Sequence, residues 1–401
     1  MRHLLTTAII AMVGMSVTAV RAADNGPIKL GILNDQSGPY VAIDGPSSVD
    51  AARMAVEDFG PTVLGRKIEI VTADHQNKAD IGATIARRWF DVEDVTAILN
   101  VAVSSVAFAV QELARERKKI VVYSGAGSSD LTGKACSATS VHWTYDTYAL
   151  TAGTSRAVVK SGGDSWFFIS SDNAFGQALT RDSSNGVKAA NGKVVGQVLH
   201  PANSADFASY ILQAQSSGAK VVALANAGED TKNAVKASRE FGLTAKHQLV
   251  GLLTLLPDVH GLGLDSAQGL LVTESFYWNM NDETRAFAKR FFERNKAMPH
   301  MVPAGVYGTV LHYLKAVKEA GTTDSVAVMK KMKELPINDM MTKNGRIRED
   351  GRVLRDFYVF RVKSPDASKA PWDYYELIAT VPADDAARPL AQSECPLLKK
   401  P

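Results

Sequence analysis

The fold is decided near the start of the chain, by the stretch IKLGIL at residues 28–33. This short apolar run ends at the turn Ser37-Gly38-Pro39, and we predict a helix next, with Ser47 or Ser48 as its N-cap. A second strand, Lys67–Thr72, follows that helix. A strand, a helix and another strand in this order indicate a βαβ unit with parallel strands.

The same alternation continues through most of the chain and restarts near Leu150. We predict further strands at residues 95–100, 119–123, 165–170, 193–199, 219–226, 248–251 and 270–275, with helices between them. This pattern is typical of mostly parallel sheets covered by helices on both faces. Two successive α/β units of similar size predict two lobes, and a chain of 401 residues is long enough for two cores.

The order of elements changes after residue 275. Three consecutive helices are predicted at residues 282–295, 304–320 and 325–334, and an antiparallel strand pair at 352–362 and 372–380. Because these helices lack strands of their own, we expect the chain to cross between lobes more than once. The predicted limits are 27–145 with about 280–348 for lobe 1, 146–279 with about 349–383 for lobe 2, and 384–401 for a C-terminal tail.

The first residues resemble an export signal. Arg2 and His3 precede an apolar run from Leu4 to Val20, and small residues surround a cleavage point after Ala22. The run contains several Thr, Ser and Gly residues and falls short of the roughly 20 apolar residues that span a bilayer. We therefore predict a signal peptide at residues 1–22 and a periplasmic location, with a retained anchor as the alternative.

Composition and cysteine content restrict the function further. The net charge of +3 falls to +1 when Arg2 and Arg21 leave with the signal peptide, so nothing favours nucleic acid or a charged membrane surface as a partner. The two cysteines, Cys136 and Cys395, are predicted to form one disulfide in an oxidising compartment. Two isolated thiols are the alternative.

Candidate ligand-binding loops follow the predicted strands of the first unit, because ligands of open α/β sheets bind beyond the carboxyl ends of the strands. Val103-Ser104-Ser105 opens a helix, where hydroxyls and unpaired backbone N–H groups favour a carboxylate or another anion. The next such loop, residues 124–129, has small side chains that allow a ligand close to the backbone. Taken singly, each loop is also explained as a helix cap.

The second unit offers loops in matching positions. Residues 170–176 contain Asp172 or Asn173 as a helix cap and Phe175 as an apolar wall. Asn226-Ala227-Gly228 follows another strand in the same way. Between the units, residues 142–148 are rich in aromatic side chains; Tyr145 and Tyr148 are candidates to contribute rings and hydroxyls to a cleft, and a packed interdomain strand is the alternative.

These segments together, with Tyr307 in the late helix, resemble the Leu/Ile/Val-binding type of periplasmic solute-binding protein. The resemblance runs from about Ile28 to Phe360, and residues 363–375 resemble a branch found beside transporters for aromatic and related carboxylates. It implies the type I periplasmic binding protein fold, in which two Rossmann-like lobes joined by three crossovers close on a small solute. It also implies delivery of that solute to an ABC permease.

Carried over by position, the resemblance implies a set of ligand-binding residues. The carboxylate grip is expected at Ser104 and Ser105, completed by Ala126 and Ser128. Phe175 is expected as the lid residue and Tyr40 at the rim. The remaining expected contacts, from the facing loop and the aromatic segment, are Asn226, Ala227 and Tyr148.

Residues 251–256, Gly-Leu-Leu-Thr-Leu-Leu, bear on the class of ligand. Amino-acid binders of this type place an acidic side chain in the corresponding stretch to hold the ligand's ammonium, and none is present here. Burying an unpaired ammonium costs several kcal/mol. We therefore expect a carboxylate with a hydrophobic, aromatic body. A branched-chain or other amino acid, an amide, or a sensory role in place of transport are the alternatives.

A secreted enzyme finds little support in the motifs. No nucleophile elbow, His-Glu-x-x-His, Cys-x-x-Cys or phosphate loop is present, and no two of the eight histidines lie three or four residues apart. We predict no catalytic activity, no cofactor, no metal and a monomeric protein.

Overall fold

The computed structural model describes residues 26–398 and shows two α/β lobes, each built on its own sheet. The six strands of the first sheet lie in the order β2-β3-β1-β4-β5-β6, and all neighbours are parallel except β2 and β3. Their bounds are β1 Ile28–Asn34, β2 Thr62–Val63, β3 Arg66–Asp74, β4 Val95–Val101, β5 Ile120–Tyr123 and β6 Ser140–His142.

The second sheet has seven strands, of which five are paired in parallel. The order is β15-β14-β11-β10-β9-β7-β8, with β14 antiparallel to both of its neighbours. The strands after β6 are β7 Ser165–Ser171, β8 Lys193–His200, β9 Val221–Ala225, β10 Gln248–Gly251, β11 Leu271–Glu274, the separate hairpin β12 Arg346–Ile347 and β13 Val353–Leu354, then β14 Phe357–Val362 and β15 Tyr375–Val381.

Helices connect and cover the strands of both lobes. They are α1 Val41–Asp44, α2 Pro46–Phe59, α3 Ala79–Asp91, α4 Ser104–Glu116, α5 Thr147–Lys160, α6 Ala174–Ala189, α7 Ala208–Ser216, α8 Glu229–Glu240, α9 Leu256–Leu262, α10 Leu264–Ala267, α11 Asp282–Asn295, α12 Met301–Ala320, α13 Ser325–Glu334 and α14 Ala383–Ala386. Within the described part of the chain, no helix combines the length and apolar character needed to cross a membrane.

Each lobe has its core between sheet and helices. In lobe 1, side chains of β1 and β4 such as Leu30 and Leu99 pack with Val306 of α12. In lobe 2, Phe168 of β7 and Val250 of β10 belong to one buried cluster. Apolar faces on strand and helix thus account for the covered parallel sheets that the alternating pattern predicts.

The two-lobed α/β fold predicted from the sequence is confirmed. Helices α11 and α13 have the predicted bounds, α12 begins three residues earlier than predicted, and the late antiparallel pair joins the second sheet as β14 and β15. The predicted N-cap of α2 is wrong. Gly45 occupies that position because Pro46, which needs no N–H partner, starts the helix ahead of Ser47 and Ser48.

The late helices pack on the lobe that the chain began with. α11 and α12 contact α2, and α13 contacts β12. The chain therefore passes between the lobes after β6, after β11 and after β13. The predicted residue limits of the lobes stay predictions, and the predicted signal peptide lies outside the described residues.

A disulfide ties the C-terminal segment to the first lobe. Cys136, between β5 and β6, is bonded to Cys395, and their Cα atoms lie 5.5 Å apart. The tie joins residues 259 positions apart in the sequence. The C-terminal segment that follows β15 of lobe 2 therefore returns to lobe 1.

A buried ion pair lies where the chain first leaves lobe 1. Nε of Arg352 lies 2.9 Å from Oδ2 of Asp146, and the guanidinium also donates to the carbonyl of His142. Burial alone would raise the pKa of Asp146, but Arg352 beside it holds that pKa below its usual range. The N–H of Ala149 donates to the same carboxylate, so Asp146 also caps α5.

We predict that Arg352→Met lowers the free energy of unfolding by about 3–5 kcal/mol, because the Asp146 carboxylate is left buried without its partner. Chemical denaturation followed by circular dichroism measures the change. The double variant Asp146→Asn/Arg352→Met should recover most of the loss. Arg361→Met, which removes an exposed pair with Glu376, should cost under about 1 kcal/mol; equal losses in the two single variants would contradict the account.

Candidate functional site

A cavity of about 210 Å³ lies between the lobes, at the carboxyl ends of both sheets. The strand orders place a topological switch point between β1 and β4 and another between β7 and β9, where open sheets bind ligands. The cavity, called the cleft below, is lined by Tyr40, Ile43, Asp44, Asn77, Ala102, Val103, Ser104, Ser105, Gly125, Gly127, Tyr145, Asn173, Ala174, Phe175, Ala202, Ala227 and Leu253.

The start of α4 forms one end of the cleft. Its first backbone N–H groups have no partner within the helix, and the positive end of the helix dipole lies there. Oγ of the buried Ser104 accepts a hydrogen bond from the Ser128 N–H at 3.0 Å, so its own proton is free for another acceptor. Ser105, next along the helix, is exposed. The arrangement suits an anion held by neutral donors.

Val103, which precedes this helix, is strained. Its φ of 65° lies in the left-handed region, which β-branched residues rarely adopt. Such conformations cost about 1–3 kcal/mol and persist where the surrounding structure imposes them, often at ligand sites. The strained residue is the N-cap of α4, directly before the helix start that lines the cleft.

The loop after β5 contributes its glycines to the cleft. Gly125 and Gly127 line the cavity, whereas Ala126 and Ser128, predicted as ligand contacts, do not. The Ala126 N–H donates to the Val101 carbonyl, and the Ala126 carbonyl contacts Nε2 of His142 at 2.7 Å. Both polar backbone groups of Ala126 therefore have hydrogen-bond partners within lobe 1.

Ser128 contacts the cleft residue Ser104 without lining the cleft itself. Its N–H donates to Oγ of Ser104, and its own hydroxyl oxygen accepts from the Asp130 N–H at the start of a short 3₁₀ turn. The side chain is fully buried. Ser128 is thus placed to position Ser104.

Lobe 2 supplies an apolar wall. Phe175, Ala227 and Leu253 line the cleft opposite α4. Asn173 is the N-cap of α6, as predicted, and its Oδ1 accepts the Gly176 N–H at 2.9 Å. Apart from Asn173, the lobe 2 residues of the cleft carry no polar side-chain atom.

Two further predicted contacts lie away from the cleft. Asn226 is fully buried, where its amide contacts Nε2 of His200 and accepts from the Thr231 hydroxyl. Tyr148 lies in the first turn of α5, and its ring faces the Arg388 guanidinium at 5.4 Å in a separate pocket. Of the nine predicted ligand contacts, the structure brings Tyr40, Ser104, Ser105, Phe175 and Ala227 together in the cleft.

Asp44 is a cleft residue that the sequence reasoning missed. Its carboxylate accepts hydrogen bonds from the side-chain amides of Asn34 and Asn100, at 2.8 to 3.3 Å. Burial raises its pKa to about 6. Asp44 is the only carboxylate among the described residues of the cleft, and no Lys, Arg or His lines it. Its position in α1, the short helix that follows the carboxyl end of β1, was the available signal.

Two tyrosines complete the polar side of the cleft. The Tyr145 hydroxyl donates to the Gly125 carbonyl at 2.7 Å, which fixes the ring between the lobes. Burial and the charges of Asp230 and Asp35 raise the pKa of Tyr40 to about 12, so its hydroxyl stays neutral at physiological pH. Both rings offer an aromatic face and neither adds charge.

One cluster near the cleft has the composition of a metal site. Ligand atoms of Asp35, Asp74 and His75 lie within 4.8 Å of one another. Both carboxylates accept hydrogen bonds from neighbouring backbone N–H groups, Asp35 from Gly38 and Asp74 from Gln76 among others. These bonds give the carboxylates a role in shaping the loops after β1 and β3.

The lobes touch across the cleft. A Cβ added at Gly127 would lie 2.7 Å from the Phe175 ring, so the lobe 2 side chain already packs on the lobe 1 backbone. On the other side, a Cβ at Gly228 would lie 2.8 Å from the Pro39 carbonyl oxygen. Glycine at both positions permits this close approach.

Two lobes that meet around a ligand-sized cavity define a binding protein of the bilobal class. The chain belongs to the periplasmic binding protein family, whose model matches residues 27–369. A comparison with curated proteins found no match.

Solved structures of similar proteins agree with this family. A periplasmic binding protein from Burkholderia mallei is 46% identical, with 93% of this chain and 99% of that chain covered and a TM-score of 0.91. A branched chain amino acid ABC transporter periplasmic ligand-binding protein from Burkholderia xenovorans is 36% identical, with 92% and 99% covered and a TM-score of 0.84. An ABC transporter solute binding protein from R. palustris, in complex with 4-hydroxybenzoate, is 22% identical, with 89% and 97% covered and a TM-score of 0.81; it shows the fold alone.

We predict that Asp44 makes stability depend on pH. Because its pKa is about 6 in the folded protein and about 3.9 unfolded, its contribution is fully present below pH 4 and is lost as pH rises through 6. Relative to Asp44→Asn, the ligand-free protein should lose about 2 kcal/mol of unfolding free energy between pH 4 and pH 7.5. Urea denaturation at several pH values measures the difference. The exposed Asp366→Asn is the control, and a difference that does not vary with pH would contradict the prediction.

Proposed function

We propose that the protein captures a small carboxylate with a hydrophobic, aromatic body and delivers it to the permease of an ABC transporter. The observation that carries the proposal is the polarity of the cleft: the start of α4 with Ser104 on one side, and the apolar wall of Phe175, Ala227 and Leu253 on the other. Two of the similar proteins are named as ABC transporter components, and one of them holds an aromatic acid.

The acid group would be held by neutral donors. The unpaired N–H groups at the start of α4, the Ser104 hydroxyl and the helix dipole together favour an anion, the dipole alone by about 0.3–1 kcal/mol. Hydrogen bonds to a charged group contribute roughly 1.5–3 kcal/mol each. A carboxylate can therefore bind in this cleft without an ion pair.

The body of the solute would lie against lobe 2. Burying about 150 Å² of apolar surface contributes on the order of 4 kcal/mol. The rings of Tyr40, Tyr145 and Phe175 border the same space and favour an aromatic ligand through stacked or edge contacts.

Closure of the lobes would couple binding to transport. A ligand shifts the open and closed states only by its difference in affinity for them, which requires contacts from both lobes. A grip on lobe 1 and an apolar wall on lobe 2 meet this requirement. The close packing of Phe175 on Gly127 is then a contact of the closed state.

The proposed location is the periplasm. The family to which the chain belongs is periplasmic by description, and the Cys136–Cys395 disulfide suits an oxidising compartment. The signal peptide predicted at residues 1–22 agrees with export. Solute binding rather than catalysis is the activity proposed for the cleft.

A branched-chain amino acid is the second candidate ligand. Two observations favour it: the name of the 36% identical protein from Burkholderia xenovorans, and the Asp44 carboxylate in the cleft. The ammonium of an amino acid could pair with the Asp44 carboxylate. Residues 251–256 contain no acidic side chain that could take this role.

We predict that a thermal-shift screen of the purified protein shows the largest rise in melting temperature with aromatic acids, because ligands of the native state stabilise it by mass action.

We predict that Ser104→Ala weakens binding of the best acid about 10- to 100-fold, measured by titration calorimetry, since the substitution removes a hydrogen bond to a charged group. Ser216→Ala, exposed on α7, is the control and should bind the acid as the wild type does. Shifts with leucine or valine and none with aromatic acids would defeat the proposed ligand class, and unchanged affinity in Ser104→Ala would remove the grip.

A further inference from the structure

We propose that Asp44 recognises a hydrogen-bond donor on the ligand, so that the cleft selects acids that also carry a hydroxyl or ammonium group over the same acids without one. The inference rests on the proposed function and specifies its ligand class. It makes Asp44 the residue that sets specificity within the cleft.

The Asp44 carboxylate is fixed in place by lobe 1. Nδ2 of Asn100 lies 2.8 Å from Oδ1 and 2.9 Å from Oδ2, and Nδ2 of Asn34 lies 3.3 Å from Oδ1. The same Asn34 amide donates to the Gly45 carbonyl, and Oδ1 of Asn100 accepts from the N–H groups of the Ser124–Gly125 segment. Both amides are therefore held at several points, and Asp44 cannot swing away from the cleft without breaking this network.

The network leaves the carboxylate without a countercharge. Its hydrogen-bond donors are all neutral: the amides of Asn34 and Asn100 and the hydroxyl of Ser48. No cationic side chain lines the cleft among the described residues, and the like charge of Asp35 raises the pKa of Asp44 further. A buried carboxylate without a countercharge is costly, so a donor on the ligand supplies what the protein lacks.

The acceptor and the acid grip lie in the same wall. A Cβ added at Gly125 would lie 1.9 Å from Oδ2 of Asp44 and 3.2 Å from Cα of Ala102, two residues before Ser104. The donor and the carboxylate of the ligand therefore both face lobe 1, and its apolar body faces lobe 2. An acid without the donor would bring a second negative group close to Asp44 with nothing between them.

Titration calorimetry with matched acids tests the inference. The pairs are phenylalanine with 3-phenylpropionate for an ammonium, mandelate with phenylacetate for an α-hydroxyl, and 2- or 4-hydroxybenzoate with benzoate for a ring hydroxyl. In the wild type, the donor-bearing member of at least one pair should bind about 10- to 100-fold more tightly. In Asp44→Asn that ratio should fall to within about threefold. The pair that responds tells an ammonium from a hydroxyl.

Two further variants separate this role from a structural one. Asp258→Asn alters another fully buried aspartate, with a pKa likewise about 6, that does not line the cleft, and it should keep the wild-type ratio. Gly125→Ala places a methyl group against Oδ2 and should lower the ratio while the carboxylate is retained.

The contradicting outcomes are distinct. Equal binding within every pair by the wild type, or an unchanged ratio in folded Asp44→Asn, would overturn the inference. A third outcome would also overturn it: Asp44→Asn binds the donor-free acid more tightly than the wild type does, and the wild type takes up one proton on binding. Asp44 would then be neutralised by protonation and not by a donor on the ligand. Failure of the wild type to bind any small acid or amino acid would instead overturn the proposed function.

Discussion

The common direction of the parallel strands is the constraint on which the rest of the structure depends. In each lobe the carboxyl ends of the central strands lead into the segments that meet the other lobe. These loops, the short helix α1 and the starts of α4 and α6 line the cleft. The cleft therefore inherits the properties of loops and helix starts: unpaired N–H groups, hydroxyls and glycines. A ligand site at this place follows from sheet topology, and the side chains on the loops decide its chemistry.

Chemistry is divided unevenly between the two lobes. Lobe 1 supplies the helix start, Ser104 and the Asp44 carboxylate. Lobe 2 supplies Phe175 and other apolar side chains, with Asn173 as its one polar side chain in the described cleft. A polar group of the ligand can thus be fixed by lobe 1 before the lobes close. Contact with the apolar wall then removes the remaining surface from water, which favours the closed state by the hydrophobic effect.

Most of the fold could be predicted from the sequence because it is encoded locally, in alternating apolar strands and amphipathic helices. The strand-end rule also pointed to Ser104 and Phe175. It also pointed to the loop after β5, where Gly125 and Gly127 line the cleft, whereas Ala126 and Ser128, which the family resemblance implied, do not. Local sequence patterns predict where the loop lies, but they do not predict which of its residues face the cleft.

Long-range contacts explain the rest of what was missed. Asp44 is held by Asn100, 56 residues away, and no local pattern records that pairing. Likewise, the side chain that faces Tyr148 is Arg388, from the far end of the chain.

The most direct test of the account is a crystal structure of the protein with the tightest-binding acid from the screen. We expect the acid between the lobes, with its carboxylate at the start of α4 and its apolar body against Phe175. Density for the acid outside the cleft, or touching only one lobe, would contradict it.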